Sequence, residues 1–133
     1  MNDPGRAASP VAVWSEERHG VTVILVEGEV DMDTCDEVRA ELVERLDGRS
    51  RSAGLVLDLS GVTVFGSVGL SLLIEARHRA ERRGVGFAVA TDRRSVLQPL
   101  VETGVADLVV LCATVREAAE AVKVVAVFPR QVE

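Results

Sequence analysis

The chain has 133 residues and a net charge of −6, and 47% of its residues are hydrophobic. That length suits a single domain, and the composition matches globular proteins rather than disordered chains. The negative charge disfavours nucleic-acid binding by electrostatic attraction. Three phenylalanines, one tryptophan and no tyrosine are too few aromatic rings for a base-stacking surface.

The terminal and cysteine patterns indicate where the protein works. We expect residues 1–9 to form a flexible leader, because they are polar, contain proline and glycine, and lack the apolar run of a secretory signal. Apolar runs elsewhere are too short to cross a bilayer. Cys35 and Cys112 match no metal or disulfide pattern, which suits a reducing compartment. The sequence therefore predicts a cytoplasmic protein with no membrane segment, metal site or cofactor.

The first third of the chain predicts a β-hairpin followed by a helix. Val11–Arg18 and Val21–Val26 are rich in aliphatic and β-branched residues, and His19–Gly20 between them is typical of a turn. Thr34 begins a Thr-x-x-Glu capping box, and apolar residues at helical spacing follow it. We therefore expect the first helix to span about Cys35–Asp47.

The middle of the chain predicts two buried strands separated by a long helix. The compact apolar run Leu55–Leu59 is typical of a strand that is covered on both faces. Val62–Gly66 is expected to be a loop, and Ser67–Arg83 has an apolar and a polar face at helical spacing. Val85–Ala90 is expected to form the fourth strand.

The last third predicts a short helix, a strand and a final helix. Ser95–Thr103 has helical spacing, with Ser95 as its expected capping residue. Leu108–Leu111 is expected to be the fifth strand. A second capping box, which Thr114 begins, opens a helix that we expect to end near Lys123.

Strands alternate with helices along the chain, and this order predicts an α/β fold. We expect one domain over residues 10–123, with a mostly parallel sheet of about five strands, an antiparallel edge strand and about four covering helices. The apolar tail at residues 124–133 has no predicted placement: an extension of the last helix, an edge strand and a cover for an exposed surface are all open.

The sequence contains no established catalytic motif, because a phosphate-binding loop, a zinc-binding helix and a nucleophile elbow are all absent. His19 falls in a predicted turn and His78 on a polar helix face, so neither is favoured as an acid or base. An acidic phosphoacceptor pocket of Asp58 with Asp31 and Asp33 is an alternative, but the lysine that such a pocket uses is missing. Local roles in a turn and near a helix N-terminus are favoured for these carboxylates.

Ser67 precedes the long predicted helix and has two competing interpretations. Its hydroxyl can cap the helix. The same position can also accept a phosphate, because a helix N-terminus has unpaired N–H groups and a partial positive charge. Gly66 and Gly69 keep the surrounding surface low, so another protein can approach the hydroxyl. These residues alone favour capping over phosphorylation.

Charged residues are segregated along the chain. Nine carboxylates lie between residues 27 and 47, with only Arg39 and Arg45 among them, and arginines cluster between residues 77 and 94. Such a run is usually a solvated face. The alternative is an acidic docking surface for a basic partner.

Two segments resemble the STAS domain family, which includes bacterial anti-sigma factor antagonists. Gly61–Leu70 reads GVTVFGSVGL and resembles the signature loop of that family. Val26–Asp31 reads VEGEVD and resembles the family's Gly-Glu-Leu-Asp turn. The resemblance covers about Val11–Val122, and the order of the predicted elements agrees with the family fold.

The resemblance implies a switchable binding module that is not an enzyme. In the family, the antagonist binds an anti-sigma factor that is also a serine kinase, and this binding releases a sigma factor. The kinase uses ATP to phosphorylate the motif serine, and a serine phosphatase resets it. Carried over to this chain, the phosphoacceptor is Ser67, and Asp31 lies beside the loop. The implied partner-contacting residues are Asp31, Asp33, Phe65, Gly66, Ser67, Val68, Gly69, Leu70 and Ser71.

The chain departs from the family motif at two positions. Gly66 replaces the motif aspartate, which removes a carboxylate next to the acceptor. Val68 replaces a second hydroxyl residue, which removes an alternative acceptor. The alternative function is therefore a STAS interaction module without a phospho-switch, acting as a constitutive antagonist or a signalling adaptor.

Overall fold

One mixed β-sheet forms the centre of the protein. The computed structural model describes residues 10–48 and 54–127. The strands in these residues are β1 (Val11–Arg18), β2 (Val21–Val30), β3 (Gly54–Phe65), β4 (Gly86–Ala90) and β5 (Val110–Cys112). They lie side by side in chain order, with β1 antiparallel to β2 and every other pair parallel. The predicted five-stranded sheet with an antiparallel edge strand is confirmed.

Helices cover the two faces of the sheet unequally. Those in the described residues are α1 (Cys35–Asp47), α2 (Ser67–Arg83), α3 (Arg94–Thr103) and α4 (Val115–Val127). The larger core joins one face to α1, α2 and α3 through residues such as Val38, Leu73 and Val96. The smaller core joins the other face to α4, which contributes Ala118 and Ala119. Within the described ranges, none of the helices combines the length and hydropathy needed to cross a bilayer.

The two central strands β2 and β3 are longer than the sequence predicts. β3 runs through Phe65, so the expected loop at Val62–Gly66 is wrong and is strand up to its last residue. β2 likewise continues past Val26 to Val30. Each strand supplies the other's hydrogen-bonding partners, and their pairing reaches Val30 with Phe65 despite two register shifts. The turn-like pair Ser60–Gly61 therefore does not end β3, because pairing with β2 continues past it.

Several other boundaries differ from the predictions. A 3₁₀ turn occupies Val105–Asp107, so β5 spans Val110–Cys112 and begins two residues later than the predicted strand Leu108–Leu111. α4 continues past Lys123 to Val127, so the first residues of the apolar tail are helical. The rest of that tail and the predicted N-terminal leader lie outside the described residues.

The two predicted capping boxes have different outcomes. The Glu117 N–H donates to Thr114 Oγ1 at 3.1 Å, which confirms the box before α4. α1 begins at Cys35 as predicted, but the Thr34 side chain does not cap it. The Thr34 backbone is already near the helical region, and its hydroxyl instead accepts a hydrogen bond from the Asp31 N–H at 3.0 Å.

Side chains from the loop after β4 and from the first turn of α3 form hydrogen bonds to the far end of β3. β4 pairs with β3 only as far as Asp58, and beyond that point side-chain donors bond to β3 carbonyls. The pairs are Thr91 Oγ1 with Leu59 O (3.4 Å), Arg93 Nε with Ser60 O (2.7 Å) and Ser95 Oγ with Val62 O (2.8 Å). The predicted cap at Ser95 is therefore wrong: α3 begins at Arg94, and the Ser95 hydroxyl bonds to the strand.

A substitution at Gly28 tests the close contact between the end of β2 and the backbone of Pro10. Its φ is +106°, and an added Cβ would lie 1.9 Å from Pro10 O, whereas Gly84 has φ +67° and open space around it. We expect Gly28→Ala to lower the free energy of unfolding by more than about 3 kcal/mol and Gly84→Ala by about 1 kcal/mol, because only the first adds a backbone clash to the left-handed strain. Urea denaturation measures both, and equal losses would contradict this packing.

Ser95→Ala tests whether the hydrogen bond from the Ser95 side chain stabilises the end of β3. The substitution leaves Val62 O without its side-chain donor, so we expect a loss of about 1 kcal/mol and faster amide exchange over residues 62–66. Ser71→Ala is the control, because the exposed Ser71 hydroxyl makes only a 3.4 Å bond to Ser67 O of its own helix. A matching loss in both variants would show that the Ser95 bond does not stabilise the strand.

Candidate functional site

The ends of β2 and β3 bring the two family-like segments together. Val30 and Phe65 are register partners, and the Gly66 N–H donates to Val30 O at 2.9 Å. An added Cβ on Gly66 would lie 3.9 Å from Asp31 Cα. The turn that leads into α1 and the start of α2 therefore lie next to each other at the carboxyl end of the sheet.

Ser67 is the first residue of α2, and its side chain is exposed. The residue at the cap position is Gly66, and no side chain caps the helix. The capping interpretation of Ser67 is therefore wrong, because the serine lies one position inside the helix. Within the described part of the chain, its hydroxyl has no hydrogen-bond partner. A phosphate on this oxygen would lie beside the unpaired N–H groups of the first helical turn.

Phe65 and Gly69 form the packing beneath Ser67. Phe65 is buried at 9% exposure, and an added Cβ on Gly69 would meet its ring at 2.7 Å. Gly69 thus lets the ring pack under the first turn of α2. Val68 and Leu70 are partly buried against the same core. Of the residues expected on this helix to contact a partner, Ser67 and Ser71 are the exposed ones.

Asp31 and Asp33 belong to a hydrogen-bonded turn after β2. Asp31 Oδ1 accepts the Asp33 N–H at 2.9 Å. The Thr34 hydroxyl donates to Glu29 O at 2.7 Å, and the Cys35 N–H donates to Asp31 O at 2.9 Å. Asp31 is half-buried and Asp33 is exposed. The turn therefore holds Asp33 at the surface and Asp31 against the start of α2.

Two exposed apolar residues at this end of the sheet were not predicted from the sequence as site residues. Met32 is 81% exposed and Val64 is 45% exposed. Met32 lies between two aspartates in the turn, and Val64 immediately precedes Phe65 in β3. The exposure of Met32 could have been predicted from its position, because it is an apolar residue inside an acidic turn. Val64 carried no signal, because its exposure depends on how β3 ends.

The acidic run divides into two parts in the structure. The carboxylates of α1 are bound by arginines of α1 and α2. The pairs are Arg39–Asp36 (2.9 Å), Arg45–Glu41 (3.0 Å), Arg79–Asp47 (3.1 Å) and Arg83–Asp47 (3.2 Å). Arg39 also bonds to Glu75 at 3.3 Å, which raises the pKa of the arginine. By contrast, four acidic residues ion-pair with no Lys or Arg of ranges 10–48 and 54–127: Glu27, Glu29, Asp31 and Asp33.

The structure does not assemble the acidic pocket considered for Asp58. Asp58 lies in the middle of β3, where it is the register partner of Leu25, and the strand continues to Phe65. Seven residues of strand place it about 20 Å from the end where Asp31 lies. Asp58 Oδ1 instead accepts bonds from the Ser60 N–H at 2.9 Å and the Ser60 hydroxyl at 2.6 Å. The turn predicted at Asp58 is wrong, because residues 58–60 are strand, and the carboxylate makes its local hydrogen bonds within β3.

The two cysteines lie apart, with Cys35 beside the Asp31 turn and Cys112 at the end of β5. Both are unpaired: Cys35 is buried at the start of α1, and Cys112 is half-buried at the end of β5. Burial, with a smaller contribution from Glu117, raises the pKa of the Cys112 thiol. Its thiol is therefore mostly protonated at neutral pH, which makes it a poor nucleophile.

Solved structures of similar shape include several anti-sigma factor antagonists. One from Mycobacterium paratuberculosis is 28% identical, with a TM-score of 0.77 over 92% of this chain and 99% of that one. A serine-to-glutamate variant of RsbS from Moorella thermoacetica is 23% identical, with a TM-score of 0.70 over 86% and 97%. An anti-sigma-factor antagonist (STAS) domain protein from Planctomyces limnophilus is 19% identical, with a TM-score of 0.67 over 83% and 96%. At these identities the last two show the fold alone.

No curated protein matches the chain. The family model of the STAS domain matches residues 13–118, which include both motif segments, most of β1 and all of β2 to β5. The match agrees with the sheet order, the α2 start and the motif resemblance. The chain therefore belongs to the STAS domain family.

Proposed function

We propose that this protein is an anti-sigma factor antagonist of the bacterial cytoplasm. It binds an anti-sigma factor that is also a serine kinase, and this binding releases a sigma factor. The observation that carries the proposal is the exposed Ser67 at the start of α2, beside the Asp31 turn. The 28% identity to the mycobacterial antagonist over nearly all of both chains supports it.

The proposed switch is a phosphate on Ser67. The kinase transfers the γ-phosphoryl group of ATP to Ser67 Oγ, ADP leaves, and the hydroxyl proton passes to a base on the kinase. The phosphate adds about −1.5 to −2 charges next to Asp31 and Asp33, which opposes docking by repulsion and by the cost of desolvation. The N-terminus of α2 accommodates the phosphate locally, so the fold is retained. A serine phosphatase resets the switch by hydrolysis.

A second candidate is a STAS interaction module without a phospho-switch. Two observations favour it. Gly66 brings no carboxylate to the acceptor, and the Ser67 hydroxyl has no partner among the described residues to orient it. In this case the protein binds its partner constitutively, and Ser67 has no regulatory role.

Capture from a lysate of the source organism distinguishes binding from switching. We expect the wild-type chain to retain an ATP-binding anti-sigma factor kinase, identified by mass spectrometry, and Ser67→Asp to lose at least about 90% of it by charge repulsion. His78→Asp is the control, because it adds a carboxylate at an exposed position of the same helix about three turns further on, outside the expected partner-contacting residues. Equal capture by all three proteins would favour the module without a switch. The absence of any kinase from the wild-type capture would contradict the proposed function.

Gly66→Asp tests whether the missing carboxylate limits phosphorylation. The backbone of Gly66 has an ordinary φ of −82°, and an added Cβ would make only ordinary contacts, the nearest at 3.5 Å to Val30 O. We therefore expect a change in unfolding free energy below about 1 kcal/mol. With radiolabelled ATP and the captured kinase, we expect Gly66→Asp to raise the labelling of Ser67 at least about tenfold. Gly66→Asn should stay at the wild-type rate, because it adds a side chain of similar size without the charge. Equal labelling of all three would show that the carboxylate is dispensable.

A further inference from the structure

Met32 is an exposed apolar side chain with no part in either core. Its 81% exposure is the highest among the large hydrophobic residues of the described chain, ahead of Val101 at 67%. Val101 lies on α3, away from the Asp31 turn, whereas Met32 is the next residue after Asp31. Single exposed apolar side chains are normal on a protein surface, so the position of Met32 beside the proposed interface, and not its exposure alone, points to a contact. Stability of the fold does not account for the exposure of Met32.

The backbone under Met32 is held in place before any partner binds. Asp31 O accepts the N–H groups of Thr34 and Cys35, and Asp31 Oδ1 accepts the N–H of Asp33. Met32 O also accepts a bond from Cys35 Sγ at 3.7 Å. A partner that buries Met32 therefore orders only its side chain, and a preorganised contact of this kind loses little entropy on binding.

The charge around Met32 is strongly negative and largely unneutralised. Most carboxylates of α1 are bound by arginines, but those of Glu29, Asp31 and Asp33 ion-pair with no Lys or Arg among the described residues. The negative potential of the acidic run is therefore concentrated on the turn that presents Met32. A partner with basic side chains gains both encounter rate and orientation from such a field.

We infer that Met32 is the apolar anchor of the partner interface, and that the partner presents an apolar socket bordered by lysine or arginine side chains. The inference rests on the proposed function for the location of the interface and adds the chemistry of the partner. Met32 supplies the buried apolar contact, and Asp31 and Asp33 select the basic border. Met32 is also close enough to Ser67 for one partner to contact both, because the Asp31 turn lies against the start of α2.

The test uses the full chain with three substitutions at exposed positions. Met32→Gln keeps the length of the side chain and removes its apolar character, Met32→Leu keeps that character, and Val101→Gln is the control on α3. The partner captured from lysate by the wild type is purified and titrated against each variant. We expect at least about tenfold weaker binding for Met32→Gln, and changes within about threefold for the other two. Asp33→Asn should reduce the salt dependence of the association rate.

Each result decides the inference separately from the proposed function. A captured anti-sigma factor kinase that binds Met32→Gln as tightly as the wild type overturns the anchor and leaves the function standing. A captured protein that is not a kinase but binds Met32→Gln at least tenfold more weakly supports the anchor and overturns the function. If no protein is captured specifically, both are overturned. Thermal denaturation of Met32→Gln should match the wild type, because the side chain lies outside both cores.

Discussion

The parallel pairing of β2 with β3 is the constraint on which the candidate site depends. The two strands remain partners up to Val30 and Phe65, far beyond the point where β4 leaves β3 at Asp58. This long pairing ends both strands at the same edge of the sheet. The turn after β2 and the start of α2 consequently lie side by side, although about 35 residues separate them in the sequence.

The extended end of β3 needs support on the side that β4 does not cover. Side chains of Thr91, Arg93 and Ser95 provide it by donating to β3 carbonyls. On the other side, the Gly66 N–H bonds to Val30 O. The end of β3 beneath Ser67 is thus hydrogen-bonded on both sides. A surface held in this way suits recognition by a partner without rearrangement.

Electrostatics separates two groups of carboxylates that look alike in the sequence. Those on α1 stabilise the contact between α1 and α2 through arginines, for example Asp47 with Arg79 and Arg83. Those at the end of β2 ion-pair with no Lys or Arg of the described ranges, so their negative charge is available to a partner. The same residue types therefore serve packing at one end of the acidic run and are available for recognition at the other.

Local patterns predicted the elements well where packing agrees with propensity. The hairpin, α1, α2 and the capping box at Thr114 follow from apolar spacing and turn residues that the tertiary structure leaves unchanged. The predictions failed where a neighbouring element supplies or removes hydrogen bonds. Val62–Gly66 follows the turn-like pair Ser60–Gly61 but is mostly strand, and the Ser95 hydroxyl bonds to Val62 O instead of capping α3.

The sequence by itself determined the α/β class, the strand and helix order, the STAS motifs and the position of Ser67 near a helix start, because each depends on residues close together in the chain. Tertiary contacts were needed to show that Ser67 is one position inside α2, that Asp58 is far from Asp31, and that Met32 is exposed in a turn whose carboxylates ion-pair with no Lys or Arg of the described residues. Those three facts depend on strand register and on contacts between α1 and α2, which join residues distant in sequence and leave no local pattern.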